Sequence, residues 1–215
     1  MTPIGSGRKW KSEVVEHQDP QTGARIRQLT NYRGHSGHLY FTYPGWYQDS
    51  RKLLFSSDRE GRNNLFNVDL VDGEITQLTN FPELEMETNN GFQRTILHPN
   101  HHEAYFHRGR EIIAFDLEKL SHRTLFRIPE GYVPSHVDIS ADGSVLCTSI
   151  SEDRPERASN LLHAQYSFHS YHDSKPHSQI LEIPISGGQE RLLFEDQRWI
   201  SHVNTSPTQA DLLTY

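Results

Sequence analysis

Imidazoles, amides and an arginine interleaved with aromatic rings recur in four short stretches of this chain. They read GHSGHLYFTYPGW (34–46), ETNNGFQRTIL (87–97), EGYVPSHVDI (130–139) and QRWISHVNTS (197–206). Between them they carry His35, His38, Asn89, Asn90, Gln93, Arg94, His136 and His202. A guanidinium can fork onto a carboxylate with two parallel hydrogen bonds. A neutral imidazole can take a proton near pH 7. Aromatic faces beside these groups offer an apolar surface to a sugar ring. The combination suits a hydroxyl-rich, anionic ligand. A fifth stretch, LLHAQYSFHSYHDSKPH (161–177), adds His163, His169, His172 and His177 among more aromatics. The competing reading is that these polar groups line a wet channel and satisfy strand ends. A further cluster, HPNHH (98–102), has the look of a metal motif. It has no partner cluster nearby in sequence, and we read it as a solvated turn.

The elements that must position these residues are strands. Four segments align: WYQDSRKLLF (46–55), LHPNHHEAYF (97–106), ISADGSVLCT (139–148) and TSPTQADLLT (205–214). Each reads as a strand end, a polar turn and a second strand. Asp49, Asn100 and Asp142 share register in the turn, where Asx side chains bond their own backbone. Runs such as LFNVDLVDGEITQLT (65–79) follow, alternating apolar and polar with the period of half-buried strands. Units of four short antiparallel strands recurring at roughly 40–50 residues mark a β-propeller. No segment of helical length shows a 3.6-residue period.

We therefore expect an all-β fold, a β-propeller of four-stranded antiparallel blades at 46–80, 94–128 and 136–195. Partial blades are expected at 13–30 and 202–215. The whole chain 1–215 is expected to be one propeller domain cut at its C-terminal side, an incomplete ring. A complete four-bladed ring is the alternative. In this topology the four stretches that lead into each first strand share one face with the loops between second and third strands. One of those loops runs from about Ser149 to Ser178, and long loops in compact domains tend to be functional.

Composition narrows the partners. A net charge of −7, with no run of Lys or Arg, argues against nucleic acid. The single Cys147 excludes an internal disulfide framework and a Cys-rich zinc site. The apolar fraction is 34%, with a mean hydropathy of −0.72, and no stretch nears the ~18 apolar residues of a membrane span. No secretory leader is visible, so the default expectation is a cytoplasmic protein without a membrane partner. Oligomeric state is left open.

Two family resemblances follow. The segment GWYQDSRKLLFSSDREGRNNLFNVDLVDGEITQLT (45–79) resembles the TolB-type propeller repeat, which is specific for fold and silent on function. The order of segments resembles the oligogalacturonate lyase family, pectin-degrading enzymes on a seven-bladed propeller. The cues are DPQTGARIRQLT (19–30), GHLYF (37–41) and KPHSQILEIPISGGQERLLFEDQRWISHVNTSP (175–207). That resemblance implies cleavage of a small acidic oligosaccharide by β-elimination, assisted by a divalent metal, typically manganese. It places the family's base histidine on His202. It places Gln179 where the family has an arginine. The implied metal ligands, three His and a Gln, would fall in later blades beyond Tyr215, so no metal residue is assigned here.

The candidate set is thus His202 as catalytic base, with His38, Asn90, Arg94, His136, His177 and Gln179 as substrate contacts. The isolated 215-residue chain is expected to be inactive. The main alternative is a non-catalytic TolB-like propeller that binds a protein or glycan. A third is the propeller domain of a larger hydrolase; no G-x-S-x-G occurs in the chain.

Overall fold

The computed structural model describes residues 5–82, 91–157 and 164–215. The chain folds as two compact units. One comprises Met1–Leu97 with His102–Ala104 and Phe115–His122; the other comprises His98–His101 with Tyr105–Ala114 and Arg123–Tyr215.

In chain order the first strands are β1 (Lys9–Trp10), β2 (Val15–Gln18), β3 (Arg25–Gln28), β4 (Ser36–Gly37), β5 (Trp46–Tyr47), β6 (Lys52–Ser57), β7 (Asn64–Asp69) and β8 (Ile75–Gln77). Strands β8, β7 and β6 form the centre of an antiparallel sheet. Both β4 and β5 pair with β6, and β1 pairs with β8. The sequence pattern does not show β1 or β4, because two residues are too few for any period. The positive-φ turn over Gln48, Asp49 and Ser50 joins β5 to β6. A separate exposed hairpin pairs β2 with β3.

Phe55, Phe66, Val68 and Ile75 make the core of this unit, with Trp10, Leu29, Leu53 and Leu70 packed against them. Each such buried side chain is worth about 1.5–3 kcal/mol relative to exposure. Arg59 is buried among them. Its guanidinium bonds Glu13 Oε1 at 2.8 Å and lies 5.2–5.7 Å from the ring centroids of Trp10, Tyr32, Phe55 and Phe66. Its charge is therefore paired and its faces covered, which a buried cation requires.

The strands β9 (Ile96–Leu97), β10 (Glu103–Arg108), β11 (Glu111–Asp116) and β12 (Ser121–Arg127) form a second antiparallel sheet in the order β12-β11-β10-β9. A third sheet has β13 (Tyr132–Ile139), β14 (Val145–Glu152), β15 (His177–Pro184) and β16 (Arg191–Gln197), paired in sequence order. Between β14 and β15 lies a helix, α1 (Ala164–Asp173). The helix has no amphipathic stripe legible in sequence; Tyr171 is its one buried residue among those whose side chains are described. The last pair is β17 (Asn204–Thr205) with β18 (Leu213–Thr214). Cys147, Ile180, Ile200 and Val203 form the core here. Burial pushes the Cys147 thiol up to about 11, which keeps it protonated and inert.

The fold is therefore all-β: two of the repeats form four-stranded antiparallel sheets, and the first forms a sheet widened to six strands by β1 and β4. The loop 149–178 is shorter than the sequence suggested. Strand β14 runs to Glu152 and β15 begins at His177, so His177 and Gln179 stand on a strand.

Candidate active site

The geometry around His202 begins with a bulge. Pairing of β13 with β14 runs Tyr132↔Glu152, Val133↔Ser151 and Pro134↔Ile150, then resumes at Val137↔Thr148. Ser135 and His136 thus oppose Ser149 alone, one residue more than the partner strand offers. A bulge of this kind re-aims a side chain and leaves a carbonyl to be satisfied. Thr148 Oγ1 donates to the His136 carbonyl at 2.9 Å. The re-aimed His136 ring, 5% exposed, stacks on the His202 ring with centroids 4.4 Å apart and planes 22° from parallel.

The segment that carries His202 is held from both sides. Ser149 Oγ donates to the Ile200 carbonyl at 2.8 Å, and the Ile200 N–H donates to Ser178 Oγ at 3.3 Å. Ser178 Oγ lies 2.7 Å from Ser151 Oγ, and all three serines are buried. Ile200 and Val203 are core residues flanking Ser201 and His202. Downstream, the Thr205 N–H donates to Asp138 Oδ2 at 2.8 Å. Burial raises the Asp138 carboxyl above the ordinary aspartate range, against the pull of that bond. His202 itself is exposed, with Ser201 Oγ 2.9 Å from its Nδ1. Upstream, Trp199 meets Phe168 and Tyr171 of α1 edge to face, at 4.5 and 5.2 Å.

A second polar group lies on the same sheet. His177 Nε2 is 3.3 Å from Glu195 Oε2, and its Nδ1 is 2.8 Å from the Tyr132 hydroxyl. A carboxylate only accepts, so Nε2 carries the hydrogen and Nδ1 accepts from Tyr132. Gln179 Nε2 donates to the same Glu195 Oε2 at 3.2 Å, as its cross-strand position dictates. The His177 N–H donates to Glu152 Oε2 at 3.0 Å. That bond, then Arg154, holds the Glu152 carboxyl below its usual range. Burial and the two glutamates raise the Tyr132 phenol.

The remaining candidates lie in the other unit. His38 is exposed, with Nδ1 3.1 Å from the Leu39 carbonyl. Its neighbour Gly45 has no room for a side chain: a Cβ there would sit 2.7 Å from the Leu54 carbonyl and 3.1 Å from His38 Nε2. Arg94 is exposed at the end of a 3-10 turn, Gly91–Arg94, and the Gln93 carbonyl accepts from the Tyr40 N–H at 2.6 Å. Asn90, Asn89 and His163 lie outside the described residues.

The structure thus brings His136 to His202 and His177 to Gln179. The reading of HPNHH as a solvated turn needs correcting at one position: Asn100, His101 and His102 are exposed, but His98 is buried. Its Nδ1 accepts from the Asn100 and His101 N–H groups at 3.0 Å each, so Nε2–H donates to the Gly143 carbonyl at 3.1 Å. Gly143, at φ +75°, is required there, since a Cβ would fall 2.5 Å from the imidazole. His98 is a turn lock. Glu195, Glu152, Tyr132 and the three serines were not singled out from sequence. Only Glu195 left a signal, through its alignment opposite Gln179 once the hairpin is drawn. Among the described residues, no three His, Cys, Asp or Glu side chains gather as a metal site. No helix among them is long and apolar enough to cross a membrane.

A family model described as oligogalacturonate lyase matches residues 4–215. The chain belongs to the oligogalacturonate lyase family. A curated relative, the oligogalacturonide lyase of Pectobacterium atrosepticum, is 24% identical over 200 residues, covering 93% of this chain and 50% of its own length. A solved structure, oligogalacturonate lyase in complex with manganese, superposes with a TM-score of 0.82 at 22% identity, covering 94% of this chain and 52% of that one. TolB from Acinetobacter baumannii follows at a TM-score of 0.53 and 16% identity, over 90% of this chain and 40% of its own. The two structural likenesses establish the β-propeller fold of the family for this chain. The chain spans about half the length of the curated relatives it matches.

Proposed function

We propose that the protein to which these residues belong cleaves oligogalacturonate, a fragment of pectin, by β-elimination, with His202 as the base. The observation that carries this reading is the presentation of His202: an exposed imidazole on a segment fixed at Ile200 and Val203, in a chain of the lyase family. In the tautomer whose Nδ1–H donates to Ser201 Oγ, the basic nitrogen is Nε2. Nε2 takes the C5 proton of a galacturonate residue, the electron pair becomes the C4–C5 double bond, and the C4–O bond breaks. Water gives a proton to the departing glycosidic oxygen, and the His202 imidazolium returns its proton to the solvent. His177, its ring nitrogens engaged by Glu195 and Tyr132, is the candidate contact beside Gln179, whose second amide N–H is the donor offered to the uronate; Arg94 is the guanidinium of the candidate set, and His38 and Asn90 complete it.

Charge developing at the uronate carboxylate must be stabilised. The family resemblance implies a divalent cation, manganese in the solved structure of one relative, and such an ion would supply Lewis acidity toward the carboxylate. The described residues do not form a donor set for it. As the family resemblance implies, we propose that its ligands lie outside the described residues, and no step above passes through a metal held by them.

The test is direct. The full-length protein with digalacturonate and manganese should generate near-ultraviolet absorbance from the conjugated product. His202→Ala should lower the rate by ~10²-fold or more, the scale of general-base removal, with the fold intact. A wild-type protein that binds the saccharide without generating absorbance favours the second reading, a glycan-binding propeller. The replacement of the family arginine by Gln179, itself bonded to Glu195, favours that reading.

A further inference from the structure

Sequence reasoning placed His136 among the substrate contacts, yet its ring is buried and its neighbour His202 is exposed. From this geometry we infer that His136 is a positioning residue for the base: its ring fixes the orientation of the His202 imidazole and does not touch the saccharide. The inference rests on the lyase reading for its kinetic consequence, but its structural half stands apart from it.

Three observations converge. The bulge at Ser135–His136 costs β13 a ladder position, and its effect is to bring the His136 ring under His202. The carbonyl at the bulge is capped by Thr148 Oγ1, so the local backbone is satisfied, and the ring itself is buried. The planes lie 22° from parallel at 4.4 Å, so the face of one imidazole limits rotation of the other. The backbone clamps at Ile200 locate the His202 main chain. Ser201 Oγ at Nδ1 fixes only one point of the ring. The near-parallel His136 face adds a second constraint. For a base that must meet one C–H bond in line, loss of that constraint reduces the productive fraction of orientations, and small misplacements are costly in rate.

The experiment uses the full-length protein with 13C-labelled histidine and three variants, His136→Ala, His136→Gln and His136→Phe. The Gln variant keeps side-chain volume without a ring, should Ala fail to fold. The His202 Cε1–H resonance is identified by its loss in His202→Gln. In the wild type and in His136→Phe it should lie upfield, in the ring current of residue 136. In the Ala and Gln variants it should return to the position of an unstacked histidine. With digalacturonate, Ala and Gln should lower kcat about 10-fold, within the ~10² that misplacement can cost, and leave KM unchanged; Phe should restore most of kcat. A rise in KM with kcat preserved in Ala and Gln makes His136 a substrate contact and overturns the inference. An unchanged His202 resonance in those variants also overturns it. If the wild type forms no unsaturated product, the lyase reading fails, and the resonance still decides whether His136 orients His202.

Discussion

Arg59 and the serine column of the third sheet are both buried polar centres, and they solve the burial problem in opposite ways. The Arg59 side chain, 0% exposed, closes on itself: its charge meets Glu13, its faces meet aromatic rings, and no group is left to act on a ligand. Ser149, Ser151 and Ser178 are neutral and spend their hydroxyls on one another and on the backbone of Ile200. What that column fixes is the segment that carries an exposed histidine. A buried ion pair leaves a strongly destabilising remainder when broken, whereas a buried hydroxyl costs little to satisfy and can lock a neighbouring strand. The first arrangement serves architecture; the second serves presentation.

The comparison is broken most forcefully at Arg59. Arg59→Ala should cost about 3–5 kcal/mol, because Glu13 is left as a poorly solvated, unpaired charge. Denaturant unfolding measures this, and adding Glu13→Gln should recover part of the loss. A cost under about 1 kcal/mol, the range of exposed pairs, would show that the pair is effectively solvated.

Ser149→Ala comes next. It strips the Ile200 carbonyl of its donor and should cost about 1–3 kcal/mol. Unlike the Arg59 change, it should also lower lyase turnover in proportion to the freedom gained by His202. Loss of stability with full turnover would make the serine column as purely architectural as Arg59.

The smallest effect concerns the turn between β13 and β14. The Asp142 carboxyl is held down to about 2 by the Ser140 hydroxyl, then by Ser144. The folded value lies below the unfolded ~3.9. Its contribution is therefore present above about pH 4 and is lost as pH falls toward 2. Asp142→Asn should flatten the acid limb of stability between those values, with little change at pH 7. An unaltered acid limb would mean that the turn is not coupled to global unfolding.

The strands of the third sheet were legible because alternation survives in short runs: in β15, Ile180, Leu181 and Ile183 are buried while Gln179 and Glu182 are not, with one register shift between Ile180 and Leu181. The turns were legible because Asp142 and Gly143 have narrow conformational uses. The bulge at His136 was not. An unpaired residue leaves no mark in a strand whose period is broken only once. The partnership of His136 with His202 joins residues far apart in sequence, and nothing local in either stretch announces it. Glu152 and Glu195 were hidden for a similar reason: exposed glutamates on strands are common, and only the pairing register sets them against His177 and Gln179. The clamp on Ile200 by small hydroxyls was equally silent, since buried serines look like ordinary polar positions until the sheet is assembled.

Chemical rescue reads the proposed role of His202 as the base. In the full-length protein, His202→Gly removes the imidazole while the clamps on Ile200 remain. Near-ultraviolet product formation from digalacturonate should collapse in that variant and return as free imidazole is added, in step with the concentration of its neutral form. Wild-type rates in His202→Gly, or a correctly folded variant that imidazole at high concentration does not revive, would contradict the account.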